Sequence, residues 1–299
     1  MNDQLLSLLS QYGEISKDVS FKQLTTFRIG GTAKQLIYPK DSIALAAIVS
    51  ILKENEIDYK VFGNGSNILC SDKEYDGLII KLTRTFNNHY LTNNGMIANS
   101  GCSIIALSFL AMQNGLSGLE FASGIPGTIA GCVYMNAGAY KNSMSDIVEE
   151  VEVLIDGKLV WLSNQQCQFG YRKSIFQDHK DWIITNVKIK LTPDDKEKIN
   201  QLMKDRQQRR MQSQPLEYPS AGSTFRNLDN QFSWQLIDSI GYRGKKIGGA
   251  QVSEKHSNFI INVDNASAMD VIQLTDQIKK EIKEKYNLDM IMEVERFNW

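Results

Sequence analysis

Five glycines fall between Gly118 and Tyr140, in the stretch GLEFASGIPGTIAGCVYMNAGAY, and no other segment constrains the fold as strongly. Each glycine gives up more backbone freedom on folding than any other residue. A segment that carries Gly118, Gly124, Gly127, Gly131 and Gly138 among small and apolar residues must recover that cost through geometry. The available returns are positive φ angles or close approach of bare backbone to something bulky. With Ser123 and Thr128 as hydroxyl donors, a phosphate-bearing ligand at a loop-to-helix junction is the specific expectation. A tight packing crossover without a ligand uses the same residues.

The rest of the composition narrows the classes. A chain of 299 residues has room for two or three domains with ample core. Its formal net charge is −1, so no global basic field calls for nucleic acid or an anionic membrane. An anionic ligand must be met by groups placed locally. No apolar run approaches the roughly 20 residues of a membrane span. The start, MNDQLLSLLSQYGE, has no basic n-region, and Leu5, Leu6, Leu8 and Leu9 suit a short helix instead. Cys70, Cys102, Cys132 and Cys167 are widely spaced, with no CxxC pair. They read as small buried hydrophobes in a reduced, cytoplasmic chain, with no metal site expected.

Taken in order, Gln35 to Tyr38 reads as a strand and Asp41 caps a helix through Ile43, Ala47, Ile48, Ile51 and Leu52. Lys60 to Phe62 is a strand running into GNGSN, residues Gly63, Asn64, Gly65, Ser66 and Asn67. A glycine turn after a strand of a β-α-β unit is where α/β folds bind ligands. The turn lacks the third glycine of a dinucleotide fingerprint, and a bland tight turn accounts for it as well. A second glycine loop some 60 residues on strengthens it, since two such loops can hold one diphosphate. Leu78 to Leu82 is a strand, Thr83 to Asn94 a polar loop or edge, and Ser103 caps a helix that stops at Gly115. Asp156-Gly157 joins a hairpin, and Ile183 to Leu191 alternates as another strand. The charged helix from Asp194 to about Gln212 carries Arg206, Arg209 and Arg210; acidic neighbours make it a solvated connector sooner than a nucleic-acid contact. Beyond it, Ser223 stands at the entry to a strand, Ser267 and Asp270 form a capping box, and Leu288 to Phe297 reads as a terminal strand exposing Glu293.

Histidine is scarce and absent from the glycine motifs, and no GxSxG elbow presents a nucleophile. Three polar residues stand out by context: Arg172 in GYRKSIF, Ser223 in AGSTF, and Glu293 in the last strand. Each has an ordinary reading, as a surface cation beside Tyr171, a turn serine and an exposed carboxylate.

Together, TTFRIGGTA, GNGSNIL, the long glycine stretch, GYRKSIF, SAGSTFRN and GGAQVSEKHSNFIIN resemble, in this order, the UDP-N-acetylenolpyruvoylglucosamine reductase family. The resemblance runs from about residue 20 to the C-terminus. It implies an α+β protein: a p-cresol methylhydroxylase/vanillyl-alcohol oxidase-type FAD-binding domain of two α/β subdomains (1–84 and 85–195) plus a C-terminal α+β substrate domain (196–299). It further implies non-covalent FAD, NADPH as co-substrate, and reduction of an enolpyruvyl ether to UDP-N-acetylmuramate for peptidoglycan, in the service of cell wall, cell shape and division. The short segment after GYRKSIF resembles the shorter class of the family, which lacks an extra tyrosine-bearing loop.

Carried over residue by residue, the resemblance puts the catalytic roles on Arg172, Ser223 and Glu293. Flavin contacts fall on Gly63, Asn64, Gly65, Ser66 and Asn67, and on Gly124, Ile125, Pro126, Gly127 and Thr128. Tyr171 and Asn227 would meet substrate, Asn227 near the diphosphate. The residue types suit such chemistry: an arginine fork stabilises growing carboxylate charge, a buried carboxyl assists it, and a serine hydroxyl donates a proton. Departures from the family pattern are Thr25 for asparagine, Cys132 for alanine, and Glu295-Arg296 after Glu293. A flavin oxidase acting on another alcohol, or a nucleotide-sugar binding module without redox chemistry, would share many of these residues.

Overall fold

The computed structural model describes residues 1–229 and 231–299, whose backbone gathers into two compact units. The first takes Met1–Lys17, Gln35–Asn64 and Asp76–Arg209; the second takes Asp18–Lys34, Gly65–Tyr75 and Arg210–Trp299. The boundary therefore falls inside GNGSN, after Asn64.

In the first unit, helix Asp3–Ser10 is capped by Asn2 and buries Leu6 and Leu9, while Leu8 faces out. Helix Ser42–Glu54 starts where Asp41 Oδ1 accepts the Ala44 amide at 2.8 Å. It buries Ala44, Leu45, Ile48, Val49 and Leu52. Ile43, expected on the apolar stripe, is 80% exposed, because the buried face is centred one residue later. These helices cover a four-stranded sheet in the order Gly13–Ser20, Thr32–Pro39, Tyr75–Lys81, Tyr59–Phe62. The last two strands are parallel, with Phe62 opposite Lys81, so both end beside Gly63. Fully buried Leu45, Ile48, Leu52, Leu78 and Ile80 each contribute about 1.5–3 kcal/mol to this core.

A five-stranded antiparallel sheet follows in the order Lys158–Ser163, Val148–Ile155, Ile183–Lys190, Gly95–Asn99, His89–Thr92. The hairpin turn takes φ +46° at Asp156 and +76° at Gly157, the paired positive angles of a type I′ turn. His89–Thr92 lies within the polar stretch and is an exposed edge strand. Helices Ile104–Gln113 and Ile129–Tyr134 pack on the sheet through Leu107, Ala111, Ile129 and Val133 against Val151, Val153 and Val187. The charged helix is Lys196–Ser213 and buries only Ile199 and Met203. Its Arg206 guanidinium lies 5.0 Å from the Tyr140 ring and its Arg206 carbonyl accepts the Tyr140 hydroxyl at 2.8 Å, so that arginine serves the end of the glycine stretch.

In the second unit, a four-stranded antiparallel sheet runs Ser220–Ser223, Phe259–Asn262, Ala250–Val252, Lys246–Ile247. Helix Ala268–Tyr286 closes it, burying Val271, Leu274, Ile278 and Ile282. The Ser267–Asp270 capping box forms as the sequence implies, and Asp72 adds both carboxylate oxygens to the Ala268 amide at 3.0 and 2.9 Å. Ile68–Cys70 pairs in parallel with Glu295–Phe297. The terminal strand is thus far shorter than its alternation suggests. Between Leu288 and Val294 the chain forms only an isolated bridge, Phe225 to Met292. Met290 and Val294 are nevertheless buried, so period-two burial is met by an extended segment without a full ladder. All four cysteines are buried and unbridged. Among the described residues no helix is long and apolar enough to cross a membrane.

Candidate active site

Gly63 and Asn64 meet the second glycine loop in the first unit. Asn64 Nδ2 donates to the Pro126 carbonyl at 3.3 Å. A Cβ placed on Gly63 would lie 2.5 Å from Thr128 Oγ1, well inside contact distance, so Gly63 is glycine because Thr128 occupies that space. Thr128 is itself buried and caps helix Ile129–Tyr134, its hydroxyl accepting the Gly131 amide at 3.2 Å. Gly118 takes φ +130°, and a Cβ on Gly138 would meet the Asn142 carbonyl at 2.6 Å. Positive φ and close approach thus both occur in the organising stretch.

The helix terminus does not behave as expected. The Ile129 amide donates to Cys102 O at 2.9 Å, Ala130 to Ser100 O at 3.3 Å and Gly127 to Ile125 O at 2.8 Å. With Gly131 bonded to Thr128, the first-turn donors of this short helix are used within the chain. The first turn of this helix therefore has no amide left over for an anion. Beside it, the Ser100 hydroxyl is buried with no hydrogen-bond partner among the described residues. Neither GNGSN nor GIPGT carries a carboxylate. The acid-free turns at Gly63–Asn64 and Gly124–Thr128, with an orphan hydroxyl nearby, fit the anionic, polar body of FAD. Lys81 Nζ donates to the Gly63 carbonyl at 2.9 Å, and burial lowers its pKa to about 8.

Arg172 lies in the same unit, in a tight turn where Gly170 and Lys173 exchange backbone hydrogen bonds at 3.0 and 3.1 Å. Its φ is +54°, a region that costs a non-glycine residue roughly 1–2 kcal/mol. The surroundings enforce it: Asn136 Nδ2 holds the Gly170 carbonyl at 2.9 Å and Gln177 Nε2 the Arg172 carbonyl at 3.1 Å. The guanidinium reaches back to the Gly138 carbonyl at 3.2 Å and lies 5.4 Å from the half-exposed Tyr171 ring. Burial pushes the Cys132 thiol up to about 12, with the Arg172 charge pulling weakly the other way, so Cys132 is inert.

The second unit holds both Ser223 and Glu293, on segments joined through backbone. Gly222 takes φ +78° at an irregularity between the Ser220–Ile261 and Ser223–Phe259 pairs, so Ser223 ends a bulged strand rather than entering one. The next residue, Thr224, accepts the Glu293 amide on its carbonyl at 2.9 Å. Asn258 braces this corner, accepting the Phe225 amide at 3.0 Å and donating to the Phe225 carbonyl at 2.8 Å. Asn67 ties in as well, its Nδ2 donating to the Glu293 carbonyl at 3.1 Å and its carbonyl accepting the Glu295 amide at 2.9 Å. Asn227 Oδ1 accepts the Ser233 amide at 3.1 Å, a bond that helps start helix Ser233–Ser239. Two residues that sequence reasoning passed over belong here: Asn258, and Arg226, whose Nε is buried without a hydrogen-bond partner among the described residues.

Residues 33–163 match the family described as an FAD binding domain, and residues 214–297 match the UDP-N-acetylenolpyruvoylglucosamine reductase C-terminal domain. The fold and these motifs define an oxidoreductase built on a p-cresol methylhydroxylase/vanillyl-alcohol oxidase-type FAD-binding domain, joined to a second α+β domain. The UDP-N-acetylenolpyruvoylglucosamine reductase of Caldanaerobacter subterraneus is 41% identical over 98% of this chain and 96% of its own length. That of Bacillus subtilis is 39% identical over 95% and 94%. The crystal structure of the enzyme from Thermus caldophilus superposes with a TM-score of 0.81 at 33% identity, covering 96% of this chain and 99% of that one. The chain belongs to the UDP-N-acetylenolpyruvoylglucosamine reductase family.

Proposed function

We propose that this protein reduces the enolpyruvyl ether of UDP-N-acetylenolpyruvoylglucosamine to UDP-N-acetylmuramate in the cytoplasm, with FAD as prosthetic group and NADPH as reductant, for peptidoglycan precursor synthesis. The observation that supports the reading is the corner in the second unit, where the Thr224 carbonyl accepts the Glu293 amide and so ties the backbone of the segment carrying Ser223 to that carrying Glu293. In this reading residues 1–84 and 85–195 form two flavin subdomains and residues from 196 the substrate domain. Gly63 to Asn67 and Gly124 to Thr128 hold the flavin, and Tyr171 and Asn227 meet substrate.

The chemistry that FAD supplies when bound is hydride transfer from NADPH to the vinyl CH2. Negative charge then grows on the adjacent carbon and its carboxylate. Arg172 stabilises that charge with a permanent cation held in a fixed turn, which needs no reorganisation during the reaction. Glu293, protonated or hydrogen-bonded to the carboxylate, assists, and Ser223 Oγ delivers the proton to carbon.

The test is the visible spectrum of the purified protein, wild type and Ser223→Ala, with NADPH and then the enolpyruvyl substrate added. The wild-type flavin band bleaches with NADPH and returns with substrate. The variant bleaches equally, but its recovery slows by about 10²–10⁴-fold. A band that never returns in the wild type removes the substrate assignment, and recovery at a normal rate in the variant removes Ser223 as the acid.

A further inference from the structure

Lys81 has no role in the reading above, yet its setting is unusual. It ends an apolar strand, Tyr75–Lys81, directly opposite Phe62, the residue before the glycine turn. Its ammonium is largely withdrawn from water, and its hydrogen bond among the described residues is to the Gly63 carbonyl at 2.9 Å. No carboxylate lies within ion-pair distance of it among the described residues. A buried cation without a counter-ion is costly, and here a peptide carbonyl is what holds it.

The peptide it holds gives the direction. The chain has no cis peptide bond among the described residues, so the Gly63 carbonyl and the Asn64 amide point opposite ways along one plane. With the carbonyl fixed on Lys81, the Asn64 N–H faces away from the lysine. A cation bonded to the oxygen of a peptide also polarises it, making the N–H at its other edge a stronger donor. The Asn64 side chain is fixed too, on the Pro126 carbonyl of the second glycine loop.

We infer that Lys81 is a positioning residue for the FAD diphosphate: it locks the Gly63–Asn64 peptide with the Asn64 amide facing outward and lends that amide its positive charge. This rests on the reading of Gly63 to Asn67 as the place of the diphosphate. The ribityl and ring portions of the flavin gain nothing from Lys81, so its effect is confined to the phosphate-bearing ligand.

The experiment measures binding of FAD and of riboflavin to full-length apoprotein, by flavin fluorescence, for wild type, Lys81→Met, Lys81→Gln and Lys81→Arg. Lys81→Met keeps the aliphatic stem, and Lys81→Gln is a second neutral variant should the first not fold; circular dichroism of each apoprotein checks the fold. The neutral variants should lose about 10–100-fold in FAD affinity while riboflavin affinity stays within about 2-fold, and Lys81→Arg should recover most of the loss. Equal losses for FAD and riboflavin, or unchanged FAD binding, would overturn the inference while leaving the turn as the diphosphate site. A wild-type protein that binds riboflavin as tightly as FAD would overturn the reading of the turn, and the role of Lys81 with it.

Discussion

Replacing Gly63 by alanine tests whether the two glycine loops are as tightly fitted as described. The added Cβ would sit 2.5 Å from Thr128 Oγ1 and 3.3 Å from its Cγ2. Thr128 cannot swing aside freely, because it is buried and its hydroxyl caps the helix Ile129–Tyr134 through Gly131. Overpacking of this kind costs about 1–3 kcal/mol. If Thr128 moves to relieve it, the cap is lost as well, at about 1 kcal/mol. Gly63→Ala should therefore destabilise the apoprotein by about 2–4 kcal/mol. Thr128→Ala removes both offending atoms and leaves Cβ at 3.5 Å, an ordinary contact, at the cost of the cap alone. The double variant should then be little worse than Thr128→Ala, a coupling of about 2–4 kcal/mol in a double-mutant cycle. The assay is urea denaturation of the four apoproteins followed by circular dichroism. Additivity within about 0.5 kcal/mol would refute the contact between the loops.

Two further perturbations have opposite logic. Because Arg172 sits at φ +54°, Arg172→Gly should be more stable than Arg172→Ala by about 1 kcal/mol, although both lose substrate reduction alike; equal denaturation midpoints would remove the argument from backbone strain. Burial raises the Asp270 carboxyl, but the Ser267 and Gly249 amides and the Ser267 hydroxyl outweigh it and hold it below the ordinary range. A depressed carboxyl stabilises the fold above its unfolded value of about 3.9, and that contribution is lost as pH falls through the folded one. Asp270→Asn should thus lower the urea midpoint at pH 7 and flatten its fall between about pH 5 and 2, and parallel curves for the two proteins would contradict the assignment.

What the sequence made legible was local: caps at Asp41, Ser103 and Ser267, the Asp156-Gly157 turn, and the periodicity of the strands flanking it. These depend on neighbours within a few residues. What escaped it depends on partners far along the chain. The first turn after Thr128 looked open to an anion because Ser100 and Cys102, which close it, lie in another motif. The segment Leu288 to Val294 alternated like a strand but lacks a continuous neighbour, and alternation reports burial rather than pairing. His89–Thr92 is exposed on both faces, so no buried period marked it as the sheet's edge. Of the candidate site, Ser223 and Glu293 stood out by context and gained roles only through the ordered motifs, while Asn258, which braces nearby Phe225, stood out through nothing local. Lys81 ended an apolar run, where a lysine reads as an ordinary strand terminus until its partner is seen.

The parallel pairing of Ile68–Cys70 with Glu295–Phe297 has a consequence for how the chain emerges from a ribosome. Ile68 faces Glu295, a separation of 295 − 68 = 227 residues. At about 5–20 residues per second, the earlier strand waits on the order of ten to forty-five seconds for its partner. Residues Asp18–Lys34 and Gly65–Tyr75, including buried Phe21, Phe27, Ile29, Leu69 and Cys70, share that wait, since their unit is otherwise built from Arg210 onward. The first unit, by contrast, has all its segments by Arg209. The second unit is therefore the last to close during synthesis, and misassembly of its early apolar segments is favoured until it does.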